Sequence, residues 1–570
     1  MTAPARIGII GSGPMGTYLL QHLTAHPDPL DITVIEAESL AGPGMPYRAG
    51  TNAPYMLCNA FSREIPPIGP TLADWLRDLP EGRLADWGLT PGDISSRDFY
   101  PRVLLGQYLR AGFLVVCEAA RVAGHRVTVL TGTRATDVLP RDGGAGVAVE
   151  GRDGPRILAF DRVAIATGHD WPAAPRIGGA TLVSPWPHGN VTALPPGRIG
   201  ILGSALSAVD VAVALGHAHG RFAEGEGRVT WTPGRGAEGL RVTMVSKQGI
   251  LPEADFWYPH LYEPLRHVTD AAMAAEIAQG PDGLLDRAFA VLWRELAEDD
   301  PAFAADLALD PPAPETFADG YFARRRRLGA FRALREGLRE ARDTMRRRET
   351  IPFRYALLRG HAPFDALLPH LTAGDLDRFR AHLLPVFADA YAAVPHLSLE
   401  RIAAMHEAGA LDILASGEDA GFADRPGGGV RVAIGEATYA FDAMVDARGQ
   451  APAKAGDLPF PTLVAALADP DAPVDAPPAL ALGGGAPSAV LCLALPQLLE
   501  RHPFAQGLAE CHELAGRAAA VSAASFVGIA RAVGGYGAPV GRVVAADVIA
   551  LACLIAAAAA LAIAPAARGA

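Results

Sequence analysis

At 570 residues the chain exceeds the usual size of a single domain, so two or three domains are expected. Half of it is apolar and 20% is charged, which suits a soluble globular enzyme with a large core. A net charge of −12 argues against a nucleic-acid partner, and the five cysteines form no CxxC pair, disulfide framework or tetra-cysteine zinc module.

The chain reaches a strand by Arg6–Ile10 with no charged-then-apolar leader, so a cytoplasmic protein is expected. Ile7–Ile10 reads as a buried parallel strand. Gly11-Ser12-Gly13-Pro14-Met15-Gly16 follows, and a helical stretch through Leu19, Leu20 and Leu23 comes next. This is GxGxxG in its required setting of strand, turn and helix. The first glycine permits the tight turn, the second admits a pyrophosphate, and the third lets helix and strand pack closely. The helix N-terminus offers the phosphates unpaired N–H groups and a partial positive charge. Asp31–Glu36 supplies the second strand, ending in an acid placed to bind a ribose hydroxyl.

Leu40–Tyr47 lies in a region that approaches the flavin in two-nucleotide flavoproteins. Phe160–Gly168 reads as a buried strand ending in Ala166-Thr167-Gly168, the usual second signature of such folds. Residues 198–210 then repeat the opening, with Gly203, Ser204, Ala205 and Ser207 in the turn. Ala205 and Ala208 stand at the second and third glycine positions. The segment reads as a second dinucleotide turn or as a structural relic of one. Its partner strand, Leu240–Lys247, ends in Ser246-Lys247. A hydroxyl and a cation there suit the 2′-phosphate of NADPH, whereas an acid would repel it; a solvated lysine is the alternative.

Residues 255–410 are rich in helix formers. Within them, Arg324–Arg327 reads as a solvated helix face, and the scattered histidines show no metal-ligand spacing, so no metal is expected. Val430–Ile434 and Tyr439–Val445 read as strands, 451–480 as a surface connection and 485–534 as helical. Val548–Ala564 is an Ala-rich apolar run, slightly short for a spanning helix; it reads as a packed helix, with a tail anchor as the alternative.

These motifs resemble a large family of FAD/NAD(P)-binding flavoproteins. The resemblance rests on GSGPMG (11–16), PYMLCNAFSREIPP (54–67), FYPRVLLGQYL (99–109) and ATGH (166–169). It continues through GSALSAVD (203–210), SKQGILP (246–252), VDARGQ (445–450) and ALPQLLERHPFAQGL (494–508). It implies an α/β fold with two Rossmann-like domains and a helical insertion. The expected FAD domain spans 1–190 and returns at 451–540, the NADPH domain spans 195–450 with an insert at 255–410, and an Ala-rich tail covers 541–570.

The best-understood flavoproteins that resemble this layout are amino-acid N-monooxygenases. They imply FAD, NADPH and O2, with oxygen passing from a flavin C4a-(hydro)peroxide to the amine of a small amino acid. L-aspartate, giving nitrosuccinate, is the favoured substrate. A flavin-dependent NAD(P)H reductase and a non-catalytic flavin-binding regulator are the alternatives, and an oligomer is compatible with the sequence. The linker stretch Arg176…Gly178…Leu182…Trp186-Pro187 lacks the aromatic and histidine of Baeyer–Villiger enzymes, which disfavours that chemistry.

No single acid or base is expected, because the flavin carries the oxygen chemistry. Arginine forks suit an anionic substrate, and Arg63, Arg102 and Arg448 lie within family-like motifs. Arg102 suits the FAD pyrophosphate or a core ion pair equally, and Arg448 a substrate or a structural partner. Asn59 could bond the flavin edge or serve a turn.

Overall fold

The computed structural model describes residues 3–225, 227–392, 394–474, 479–483 and 488–524. The expected tail, with its Val548–Ala564 run, lies outside the described residues. Two parallel sheets organise the fold. Their strands, in chain order, are β1 (Ala5–Ile10), β2 (Leu30–Ile35), β3 (Arg126–Leu130), β4 (Arg162–Ile165), β5 (Arg198–Leu202), β6 (Arg241–Ser246), β7 (Leu411–Ala415), β8 (Ala443–Asp446) and β9 (Val490–Cys492). The first sheet runs β9-β4-β1-β2-β3 and the second β7-β6-β5-β8. The central strands are continuous apolar runs because helices cover both faces of such sheets. Ile7, Ile9, Ile199 and Ile201 are accordingly buried.

The two units repeat each other beyond their opening turns. β1 leads through Gly11 into α1 (Pro14–Leu23), and β5 leads through Gly203 into α3 (Leu206–His219). Between them, α2 (Arg102–Val122) is a long apolar helix packed in the first core. Gly11 N–H donates to Ile35 O and Gly203 N–H to Val245 O, both at 2.8 Å.

The closing strands match as well. Phe160–Gly168 is not one strand: Arg156–Phe160 ends a three-stranded antiparallel sheet, and β4 starts after Asp161. Tyr439–Val445 is likewise divided at Asp442, between Ala437–Phe441 and β8. The aspartates cause both breaks. The Asp161 carboxylate accepts the Arg6 N–H at 2.7 Å, and that of Asp442 accepts the Arg198 N–H at 2.8 Å. Each backbone N–H also donates back to the same arginine's carbonyl. The chain is thereby turned from one sheet into the other beside the central strand.

The helical insert leaves the second unit after β6 and re-enters at β7. It has its own core, including Phe289, Phe317, Phe364 and Phe387. The expected solvated face at 324–327 is only partly so. Arg324, Arg326 and Arg327 are exposed, but Arg325 is buried and pairs with Asp389 at 2.6 Å. Tyr321, Phe322 and Arg325 share the inner face of the helix Pro314–Leu328, so the guanidinium is carried inward with the rings.

Candidate functional site

The first turn is held rigidly. Gly11 has φ +100°, and a Cβ there would stand 2.3 Å from the Ala166 carbonyl oxygen, so only glycine fits beside the 166–168 loop. Ser12 is fully buried; its N–H and hydroxyl both donate to Glu36, at 3.0 and 2.5 Å, and its hydroxyl accepts the Gly42 N–H at 3.0 Å. Glu36 thus braces the turn, and its other oxygen accepts the Glu38 N–H. The 40–47 loop folds back over the turn, bringing Gly44 against Gly13 and Pro14. Met15 and Gly16 are buried in α1, while Thr167 is exposed beside the turn.

The second turn has the same geometry. Gly203 has φ +116°, and its Cβ would stand 2.7 Å from Ala447 O. Ala447, Arg448 and Gly449 therefore occupy the places of Ala166, Thr167 and Gly168. Neither α1 nor α3 has a side-chain cap or an acidic residue in its first turn. Apart from Pro14, which carries no N–H, their leading backbone groups meet no capping side chain, which is the fit that two dinucleotides require. Ser204, Ala205 and Ser207 keep accessible surface around the second turn.

At the end of β6 the Ser246 hydroxyl is buried without a hydrogen-bond partner. A buried hydroxyl of this kind carries a desolvation cost that an incoming acceptor would relieve. Lys247 beside it is exposed and pairs with Glu418 at 2.6 Å. The two units' closing loops meet where Asp170 N–H donates to Gln450 Oε1 at 2.9 Å.

Two of the candidate arginines are already committed. Arg102 reaches Asp210 of α3 at 2.8 Å and donates to Leu57 O at 3.0 Å. It serves as an ion pair between the units, in place of a phosphate contact. Burial raises the Asp210 pKa, and the Arg102 guanidinium opposes that rise. The same guanidinium adds to burial in holding His169 neutral, with its pKa down to about 4. Arg448 makes two bonds to Asp446, at 2.8 and 2.7 Å, so its fork faces its own strand. Asn59 and Arg63 are exposed on the 54–67 stretch.

That stretch meets the start of the insert in a polar seam that sequence reasoning missed. Glu64 Oε1 accepts bonds from Tyr258 and, at 3.2 Å, from Tyr262, while Oε2 accepts the Phe61 N–H at 3.1 Å. Burial pushes Glu64 up to about 7 against the pull of these donors. Tyr47, Glu64, Tyr391 and Cys511 are each half-buried, and burial raises the pKa of every one of them. Glu64 and Cys511 come from the first unit, and Tyr258, Tyr262 and Tyr391 from the insert. The one sequence signal was the density of rings in Phe256–Tyr262.

Two nucleotide-binding turns on two parallel sheets define an FAD/NAD(P)-binding protein of the two-unit kind. Residues 8–170 match the FAD-NAD(P)-binding family model, and residues 269–391 match the YdhS-like middle domain. The uncharacterized protein YdhS of Escherichia coli K12 is 37% identical over 532 residues, covering 89% of this chain and 96% of that one. The chain belongs to the YdhS family. Among solved structures, the Kutzneria sp. 744 ornithine N-hydroxylase is similar at 13% identity and TM-score 0.49, covering 92% of this chain and all of that one. The L-lysine 6-monooxygenase of Pseudomonas syringae is similar at 16% identity and TM-score 0.47, with the same coverage.

Proposed function

We propose that the protein is an FAD-dependent NADPH oxidoreductase that uses O2 to oxidise the amine of a small amino acid. One observation carries this reading: both units keep an uncapped helix N-terminus behind a glycine turn, and their closing loops touch through Asp170 and Gln450. Two bound dinucleotides would then have neighbouring ends, as electron transfer between them requires. The orphaned Ser246 hydroxyl beside Lys247 favours NADPH over NADH. The amine-oxidising part of the reading rests on the resemblance of the motifs, with L-aspartate to nitrosuccinate as its specific form.

The test begins with anaerobic reduction of the FAD-loaded protein by NADPH and by NADH. Air and a panel of amino acids are then admitted, and products are analysed for oxygen on nitrogen. Fast reduction by NADPH and an N-oxidised product are expected. Reduction without any N-oxidised product would leave a reductase, and no reduction at all would leave a flavin-binding regulator.

A further inference from the structure

The seam at Glu64 brings a half-buried acid near three arginines without an ion pair between them. Arg63, Arg97 and Arg359 lie close enough to His260 to add to burial in pressing its pKa down to about 4. Among the described residues, none of the three has a carboxylate within 4.0 Å. Arg97 and Arg359 are held by rings instead. Arg97 lies over Phe61 at 5.6 Å and over Trp257 at 5.3 Å, and donates to Tyr258 O at 2.9 Å. Arg359 lies over Tyr262 at 4.0 Å. The His260 ring bridges the two sides, 5.7 Å from Phe61 and 4.7 Å from Tyr262. Arg359 Nε and His260 Nδ1 are buried without a partner.

Glu64 is the acid of the seam; burial keeps its proton on up to about pH 7, and no cation lies within 4.0 Å of it among the described residues. Tyr258 and Tyr262, which donate to Glu64, also receive the arginines: Arg97 on the Tyr258 carbonyl and Arg359 on the Tyr262 ring. Leu261, in the same loop, is 82% exposed, so the seam opens to solvent at that edge. Guanidiniums fixed on aromatic faces keep their forks for an anion. Glu510 adds to the rise in the Glu64 pKa, and an incoming ammonium group would draw that proton off and pair with the carboxylate left behind. A ligand carrying both charges on one short skeleton satisfies both.

We infer that this seam binds a free α-amino acid, with Arg63, Arg97 and Arg359 holding its carboxylate and Glu64 holding its ammonium group. The inference rests on the proposed amine oxidation for its biological sense, but not for its test. The FAD-loaded full-length protein is titrated calorimetrically with the common amino acids, with succinate as an amine-free probe and ethylamine as a carboxylate-free probe. The best amino acid should bind at least tenfold more tightly than either probe. R359Q should weaken the amino acid and succinate about tenfold and leave ethylamine unchanged, and E64Q should weaken the amino acid and ethylamine and leave succinate unchanged. R63Q, at an exposed position, should weaken succinate without disturbing the fold.

Bound FAD and Tm are measured on every variant. Unchanged affinity in R63Q and R359Q with FAD and Tm retained overturns the assignment, as does a panel in which no amino acid binds. Binding that fails in the variants, with no N-oxidised product from the wild type, supports the seam and refutes the oxidation. N-oxidised product together with unaltered binding in the variants refutes the seam alone.

Discussion

Adding one methyl group at Gly203 asks whether the second turn holds a nucleotide of its own. Its Cβ would meet Ala447 O at 2.7 Å with φ at +116°, against 2.3 Å and +100° for the Gly11 pair. Reaching a tolerable 3.0 Å therefore needs a displacement of about 0.3 Å at Gly203 and about 0.7 Å at Gly11. A residue forced into such a backbone costs on the order of 1–3 kcal/mol. If the turn relieves that strain by moving, nucleotide affinity falls by roughly 5- to 150-fold. Gly203→Ala should therefore keep its FAD and weaken NADPH, whereas Gly11→Ala should lose FAD. FAD released on denaturation gives the first quantity, and anaerobic stopped-flow reduction across NADPH concentrations gives the second. Unchanged NADPH affinity in Gly203→Ala would show that the second turn is a relic. Loss of FAD from both variants would show that the turns do not act separately.

Arg102→Met leaves Asp210 buried without its cation, so the urea midpoint should fall by the equivalent of about 3–5 kcal/mol, and Arg102→Met/Asp210→Leu should recover most of it. Equal losses in the single and double variants would rule out the ion pair as the cause. Lys247→Glu should weaken NADPH about tenfold without affecting NADH, while Glu418→Gln should release Lys247 and tighten NADPH; equal nucleotide preference throughout would remove the 2′-phosphate assignment. Glu64 holds its proton in the folded state up to about pH 7, whereas the unfolded chain releases it near 4.5. Across that window the folded state binds more protons, so stability falls as pH rises. Asp255, pushed to about 8 mainly by burial and then by Glu64, acts in the same sense, while Arg97 opposes it. Glu64→Gln should flatten the drop in Tm between pH 5 and 7, and an unaltered slope would place the titration elsewhere.

Both nucleotide turns were legible because each is a local signal: an apolar strand, a glycine turn and a helix within about fifteen residues. The aspartate breaks were legible too, but only as a comparison. Phe160-Asp161 and Phe441-Asp442 stand at the same distance before Ala166 and Ala447, so the shared spacing of FDRVAIATG and FDAMVDARG marks the duplicated ending. Reading each segment alone merged two strands into one. Arg102 and Asp210 could not be paired from sequence, since they lie on helices of different units and either could have faced a phosphate or solvent. The seam is the extreme case: Glu64, Tyr262 and Arg359 meet only after the insert folds back on the first unit.

The duplication also limits where substrate choice can reside. The two units agree in their turns, their closing loops and their aspartate-to-arginine contacts, the parts that would hold the nucleotides under the proposed function. What differs between them is the 54–67 stretch, the insert and α4 (Leu508–Ala524), whose Glu510 receives a bond from Tyr391 of the insert at 3.1 Å. The insert leaves the second unit without opening its sheet. β6 and β7 pair from Val242 opposite Leu411 to Ser246 opposite Ala415, Ser416 N–H donates to Ser246 O at 2.9 Å, and Gly417 N–H donates to Lys247 O at 3.2 Å. The crossover is thus tied shut at the very residues that would read NADPH. The helices beyond it can change, and with them the residues facing Glu64, while the nucleotide geometry stays fixed. In a fold arranged this way, differences in substrate between relatives should map to residues 54–67 and the insert, and differences in cofactor to Ser246, Lys247 and Glu418.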